Sequence, residues 1–107
     1  MKKHLIKELD RITQRLIRTY RPEKIILFGS LASGKPHSGS DIDLAVIKKT
    51  RRRFIDRLKD ALFVAQPKES LDILVYTPEE VESMEFAHNP FWLYEIKGKG
   101  QTLYQRG

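Results

Sequence analysis

The chain has 107 residues, 40% hydrophobic and 32% charged, the balance of one globular domain with a modest core rather than a disordered segment. It contains no cysteine, which excludes disulfides, thiolate metal sites and a cysteine nucleophile and suits a reducing cytoplasm. Its excess of 20 Lys+Arg over 14 Asp+Glu lies toward the N-terminus: residues 1–62 carry 16 basic and 7 acidic side chains, residues 63–107 carry 4 and 7.

Leu5, Leu9, Ile12 and Leu16 recur at helical spacing, widened by Ile6 and Ile17, and predict an amphipathic helix over 2–19 that Pro22 stops. Lys7, Glu8 and Asp10 interrupt any apolar stretch there, so the start does not read as a signal peptide. Lys24-Ile25-Ile26-Leu27-Phe28 reads as a buried strand running into Gly29-Ser30, and residues 29–40 read as a loop with one helical turn at its start. Asp41 to Ile47 is a second strand. Phe54, Ile55, Leu58, Ala61, Leu62 and Ala65 give the expected inner face of a helix that Gln66-Pro67 ends. Leu71 to Tyr76 is a third strand.

Thr77-Pro78-Glu79-Glu80 then carries a cap, a proline at the first helical position and a capping box. His88-Asn89-Pro90 breaks that helix, with His88 read as a helix-end residue. A short helix over 91–96, a Gly98-Lys99-Gly100 turn and an extended piece at Thr102-Leu103-Tyr104 close the chain. Phe86, Phe91, Trp92 and Tyr94 crowd together, which by default means core packing and secondarily a partner interface. The longest apolar run, Ala61 to Ala65, is far short of the ~20 residues of a membrane helix.

A helix links strands two and three, so those two are expected parallel; the loop between strands one and two holds no crossover helix, so those two are expected antiparallel. The predicted fold is α+β, a small mixed sheet with helices packed on it. Within it, residues 1–19 form an N-terminal helix and 23–107 the core.

Gly29-Ser30 is followed, ten residues on, by Asp41-Ile42-Asp43. Side chains alternate along a strand, so Asp41 and Asp43 share one face and Ile42, Leu44 and Val46 the other. Asp72 interrupts the apolar third strand, and in-register parallel pairing puts all three carboxylates on one patch. Like charges that close repel unless a cation joins them, and hard oxygens suit Mg²⁺. With no cysteine and no histidine at ligand spacing to another, zinc is not expected. Gly29 lets a phosphate approach the backbone, and Ser30 adds a hydroxyl donor. A phosphate cradle beside paired carboxylates is suited to nucleotidyl transfer with two metal ions.

Leu27-Phe28-Gly29-Ser30, Ser40-Asp41-Ile42-Asp43-Leu44 and Leu71-Asp72-Ile73-Leu74-Val75 with Thr77-Pro78-Glu79-Glu80 resemble the minimal nucleotidyltransferase (MNT) family of the polymerase-β-like superfamily, over roughly residues 20–107. The resemblance implies that Gly29 and Ser30 hold the triphosphate, that Asp41 and Asp43 bind both Mg²⁺ ions, and that Asp72 binds one metal and helps deprotonate the acceptor hydroxyl. It further implies ATP as the nucleotide and, as partner, a helical HEPN ribonuclease silenced by AMP attached to a tyrosine. The alternative is a non-catalytic antitoxin that neutralises the ribonuclease by binding it. The chain departs from the family's common Gly-Ser-x-Ala-Arg-Gly run at Ser33, which stands at the arginine position, with Lys35 and His37 as nearby substitutes.

Gly29 to Lys35 also spells most of a P-loop, but Pro36 stands where a helix-opening Ser or Thr is required. Lys48 to Arg53 holds five basic residues in six and falls at the sheet edge opposite the carboxylates; a solvated loop is the simpler reading, and contact with RNA or an acidic partner the other.

Overall fold

A computed structural model describes residues 3–34 and 42–107. The first amphipathic segment forms helix α1 (Lys3–Arg15), which widens into one π-type turn over Leu16–Tyr20. Arg21 closes it in the left-handed conformation (φ 57°), its N–H bonded to the Leu16 carbonyl, so the stop precedes Pro22 by one residue. Strand β1 (Lys24–Phe28), the single turn α2 (Gly29–Ser33), strand β2 (Ile42–Ile47), helix α3 (Phe54–Ala65) and strand β3 (Leu71–Tyr76) follow. Helix α4 (Pro78–Phe86), a π-type helix over Phe91–Gly98 and strand β4 (Gln101–Gln105) complete the chain.

The sheet order is β3-β2-β1-β4. β1 pairs antiparallel with β2 and β4, and β2 pairs parallel with β3, which makes this the mixed α+β sheet expected. β2 is central and buried at every described position, which is why Ile42-Asp43-Leu44-Ala45-Val46-Ile47 is so apolar. Alternation sends Ile25, Leu27, Leu44, Val46 and Val75 to a core under α1 and α3. Ile26, Phe28, Ala45 and Ile47 go to a second core under the π-type helix, against Trp92 and Ile96.

Several packing expectations change. The inner face of α3 is Arg57, Ala61 and Ala65, while Phe54, Ile55 and Leu62 are exposed. The helix is turned by Arg57, whose guanidinium donates to the Arg52 and Val75 carbonyls and to Glu80 (2.7 Å), tying α3 to β3 and α4. Among the four aromatics of 86–94 only Trp92 is buried, its indole N–H donating to Glu85; Phe86, Phe91 and Tyr94 are exposed. The Thr77/Glu80 capping box forms with both of its hydrogen bonds. His88 lies just past α4 with φ 55°, a helix-end residue as read.

The basic run begins at the far end of β2 from Asp43, where the Lys48 N–H donates to the Tyr76 carbonyl. Part of its charge is used locally. Lys48 sits over the Tyr20 ring, and Arg52 and Arg53 pair with Asp60 and Asp56.

Glu8 is the buried charge of α1, at 6% exposure. It accepts from Arg11 (2.8 Å) and from the backbone N–H groups of Lys68 and Glu69, and so anchors the α3–β3 connection. The Arg11 hydrogen bond outweighs burial and, with the backbone donors, holds its pKa down at about 2 against 4.5. A depressed carboxylate stabilises the fold above its unfolded pKa, and the contribution disappears as the pH falls from about 4.5 toward about 2. Glu8→Gln is therefore expected to cost on the order of 2 kcal/mol at pH 7, from charge-assisted hydrogen bonds. It is also expected to flatten the acid limb of a stability–pH curve measured by urea unfolding. An unchanged acid limb would contradict this role.

Candidate functional site

The ends of three strands meet at one corner of the sheet. Antiparallel pairing sets Phe28 opposite Asp43, and parallel pairing sets Asp43 opposite Asp72. Directly opposed residues share a face, so Phe28, Asp43 and Asp72 form a row across β1, β2 and β3. Asp43 is buried at 8% exposure, whereas Asp72, on the edge strand, is exposed. The charge inside the apolar third strand is thus solvated from the sheet edge, and no buried partner is needed to hold it there.

Gly29 follows Phe28 and turns the chain from strand to helix with φ +74°, in the left-handed region that favours glycine. A Cβ at this position would fall 2.3 Å from Asp43 Oδ2. The Asp43 carboxylate therefore packs against the bare Cα of Gly29, and only glycine satisfies both the turn and the contact. Ser30 lies in the α2 turn; its carbonyl accepts from the Gly34 N–H (2.8 Å) and from the Ser33 hydroxyl (3.3 Å). Ser33 thus bonds back onto its own turn. The Gln101 side chain donates to the Ala32 carbonyl (3.1 Å) and ties the turn to β4, a link across 69 residues that no sequence pattern announces.

Asp41, together with Lys35 and His37, lies outside the described residues. Among the described residues no group of three His, Cys, Asp or Glu side chains could hold a metal ion. The described pair does suit one: Asp43 and Asp72 offer hard carboxylate oxygens from adjacent strands in register, and the donor type matches Mg²⁺ rather than a soft metal. A 420 Å³ depression lined by Phe54, Tyr76, Glu79, Glu80, Ser83 and Met84 lies at the other end of β3 and includes no predicted site residue. No helix among the described residues is long and apolar enough to cross a membrane.

A mixed four-stranded sheet with helices packed on it matches the polymerase-β-like nucleotidyltransferase fold. The chain belongs to that family: it matches the family described as Polymerase beta, Nucleotidyltransferase over residues 10–107. Among solved structures, it is similar to a Sulfolobus solfataricus protein described as a nucleotidyltransferase. The two share 18% sequence identity and a TM-score of 0.64, over 96% of this chain and 82% of that one, a likeness of fold. No curated protein matches the sequence.

Proposed function

We propose that the chain transfers AMP from ATP to a hydroxyl on a partner protein, in the manner of an MNT antitoxin acting on a HEPN ribonuclease. The observation that carries the nucleotidyl-transfer reading is the Asp43–Asp72 row with Gly29 packed against the Asp43 carboxylate. A triphosphate at the Gly29-Ser30 turn would lie beside these two carboxylates at the same sheet corner.

Asp41, Asp43 and Asp72 would hold Mg²⁺, which when bound supplies a Lewis acid that offsets the triphosphate charge. The chain's own groups do the rest. The Gly29-Ser30 turn binds and orients the triphosphate. Asp72, open to solvent, takes the proton of the acceptor hydroxyl as its oxygen bonds the α-phosphorus. The bond from that phosphorus to the bridging oxygen breaks, and pyrophosphate leaves. The rim position of Asp72 agrees with an acceptor presented from outside by a second protein, and the buried Asp43 agrees with a fixed ligand on the nucleotide side.

Calorimetry tests the site. ATP is expected to bind with Mg²⁺ and to lose most of its affinity when EDTA replaces the metal; equal affinity in both would remove the metal site from the account.

A further inference from the structure

We propose that Phe91 is the platform on which the base of the nucleotide stacks, a subsite that rests on the nucleotidyl-transfer reading. Phe28 is the cross-strand partner of Asp43, so its ring lies on the same face as that carboxylate. Phe91 packs on Phe28 with ring centroids 5.7 Å apart and planes at 89°. A continuous path of two rings therefore leads outward from the carboxylate row. The inner ring is buried and the outer one is 43% exposed.

Phe91 is also held in place. It opens the π-type helix directly after Pro90, and its neighbour Trp92 is buried in the core. The Asn89 side chain accepts from the Trp92 N–H (3.2 Å), and the Asn89 carbonyl accepts from the Leu93 N–H (3.0 Å). An exposed aromatic ring, fixed by its backbone and packed on the residue that precedes the Gly29-Ser30 turn, suits a planar, apolar-faced ligand group. With the triphosphate at Gly29-Ser30, the group that fits this description is the nucleobase. Stacking on a single ring reads a π-face rather than a hydrogen-bonding edge, so the platform favours nucleotides over bare polyphosphate and discriminates weakly among bases.

The test compares Mg²⁺–ATP with Mg²⁺–tripolyphosphate, which lacks base and sugar, by calorimetry on the full chain. The wild type is expected to bind ATP more tightly. Phe91→Leu keeps an apolar contact for Phe28 but removes the π-face, and is expected to weaken ATP about 5- to 100-fold while leaving tripolyphosphate within about twofold. Phe91→Tyr restores ATP binding. The emission of Trp92, the single tryptophan, reports whether each variant keeps its core. Equal losses for both ligands, or none for either, overturn the platform and leave the nucleotidyl-transfer reading standing. So does unchanged ATP affinity with slowed transfer, which would place Phe91 on the acceptor side. A wild type that binds neither ligand overturns both.

Discussion

Asp72→Asn is expected to bind Mg²⁺–ATP within a few-fold of the wild type and yet to transfer nucleotide at least 10²-fold more slowly. Asp72 stands exposed at the start of the edge strand, beside Asp43 but outside the buried contact with Gly29. On the proposed function, binding of the triphosphate would fall mainly to the Gly29-Ser30 turn and the buried carboxylate. Loss of a general base costs roughly 10²–10⁴ in rate, and loss of a metal ligand adds to it. An amide is nearly isosteric and the position is solvated, so stability should not change. The measurement is a single-turnover assay with labelled ATP and the co-expressed partner, read by intact mass, alongside calorimetry. Full-rate transfer by the variant would take the third carboxylate out of the mechanism.

Gly29→Ala is expected to disable the site from the other side. At φ +74° an alanine is strained by about 1–2 kcal/mol. Its methyl would also fall 2.3 Å from Asp43 Oδ2, a separation no pair of unbonded atoms tolerates. Either the turn or the carboxylate must move. Because Asp43 is buried between β1 and β3, the turn is expected to give way first, and either outcome would separate the proposed phosphate cradle from the carboxylate. Mg²⁺–ATP affinity is expected to fall at least tenfold, with a loss of stability of about 2 kcal/mol from strain and displaced packing. Denaturant unfolding and calorimetry on the same preparation check the two effects. A variant with wild-type ATP affinity would show that the Gly29–Asp43 contact has no part in binding.

Much of this architecture is legible in the chain because its local signals agree. Alternation puts Asp43 on the face opposite Ile42 and Leu44, and Asp72 on the face opposite Leu71 and Ile73, so the faces are legible; both faces of β2 are buried, and the register that sets Asp43 beside Asp72 comes from the paired strands. The Thr77-Pro78-Glu79-Glu80 start of α4 is similarly complete in four residues. The missed features depend on contacts distant in sequence. Arg57 looks like a surface cation, and only the Val75 carbonyl and Glu80 make it an inward-facing residue that turns Phe54 and Ile55 outward. Glu8 reads as a solvated charge until Lys68 and Glu69, some 60 residues away, present their N–H groups to it. Local composition cannot tell Trp92, in the core, from its exposed neighbour Phe91, because the difference lies in which side of a π-type turn meets the sheet. At the site, strand order and alternation give Asp43 and Asp72 a shared face, whereas their register and the contact between Gly29 and the Asp43 carboxylate require the three-dimensional structure.

The central claim is transfer of a nucleotide, and the position of the label decides it. Wild-type protein, Mg²⁺ and the co-expressed partner are incubated with ATP labelled at the α-phosphorus or, in parallel, at the γ-phosphorus. The account predicts that the α-label becomes covalently attached to the partner while the γ-label leaves in pyrophosphate. Attachment of the γ-label, or silencing of the partner with neither label attached, would contradict it.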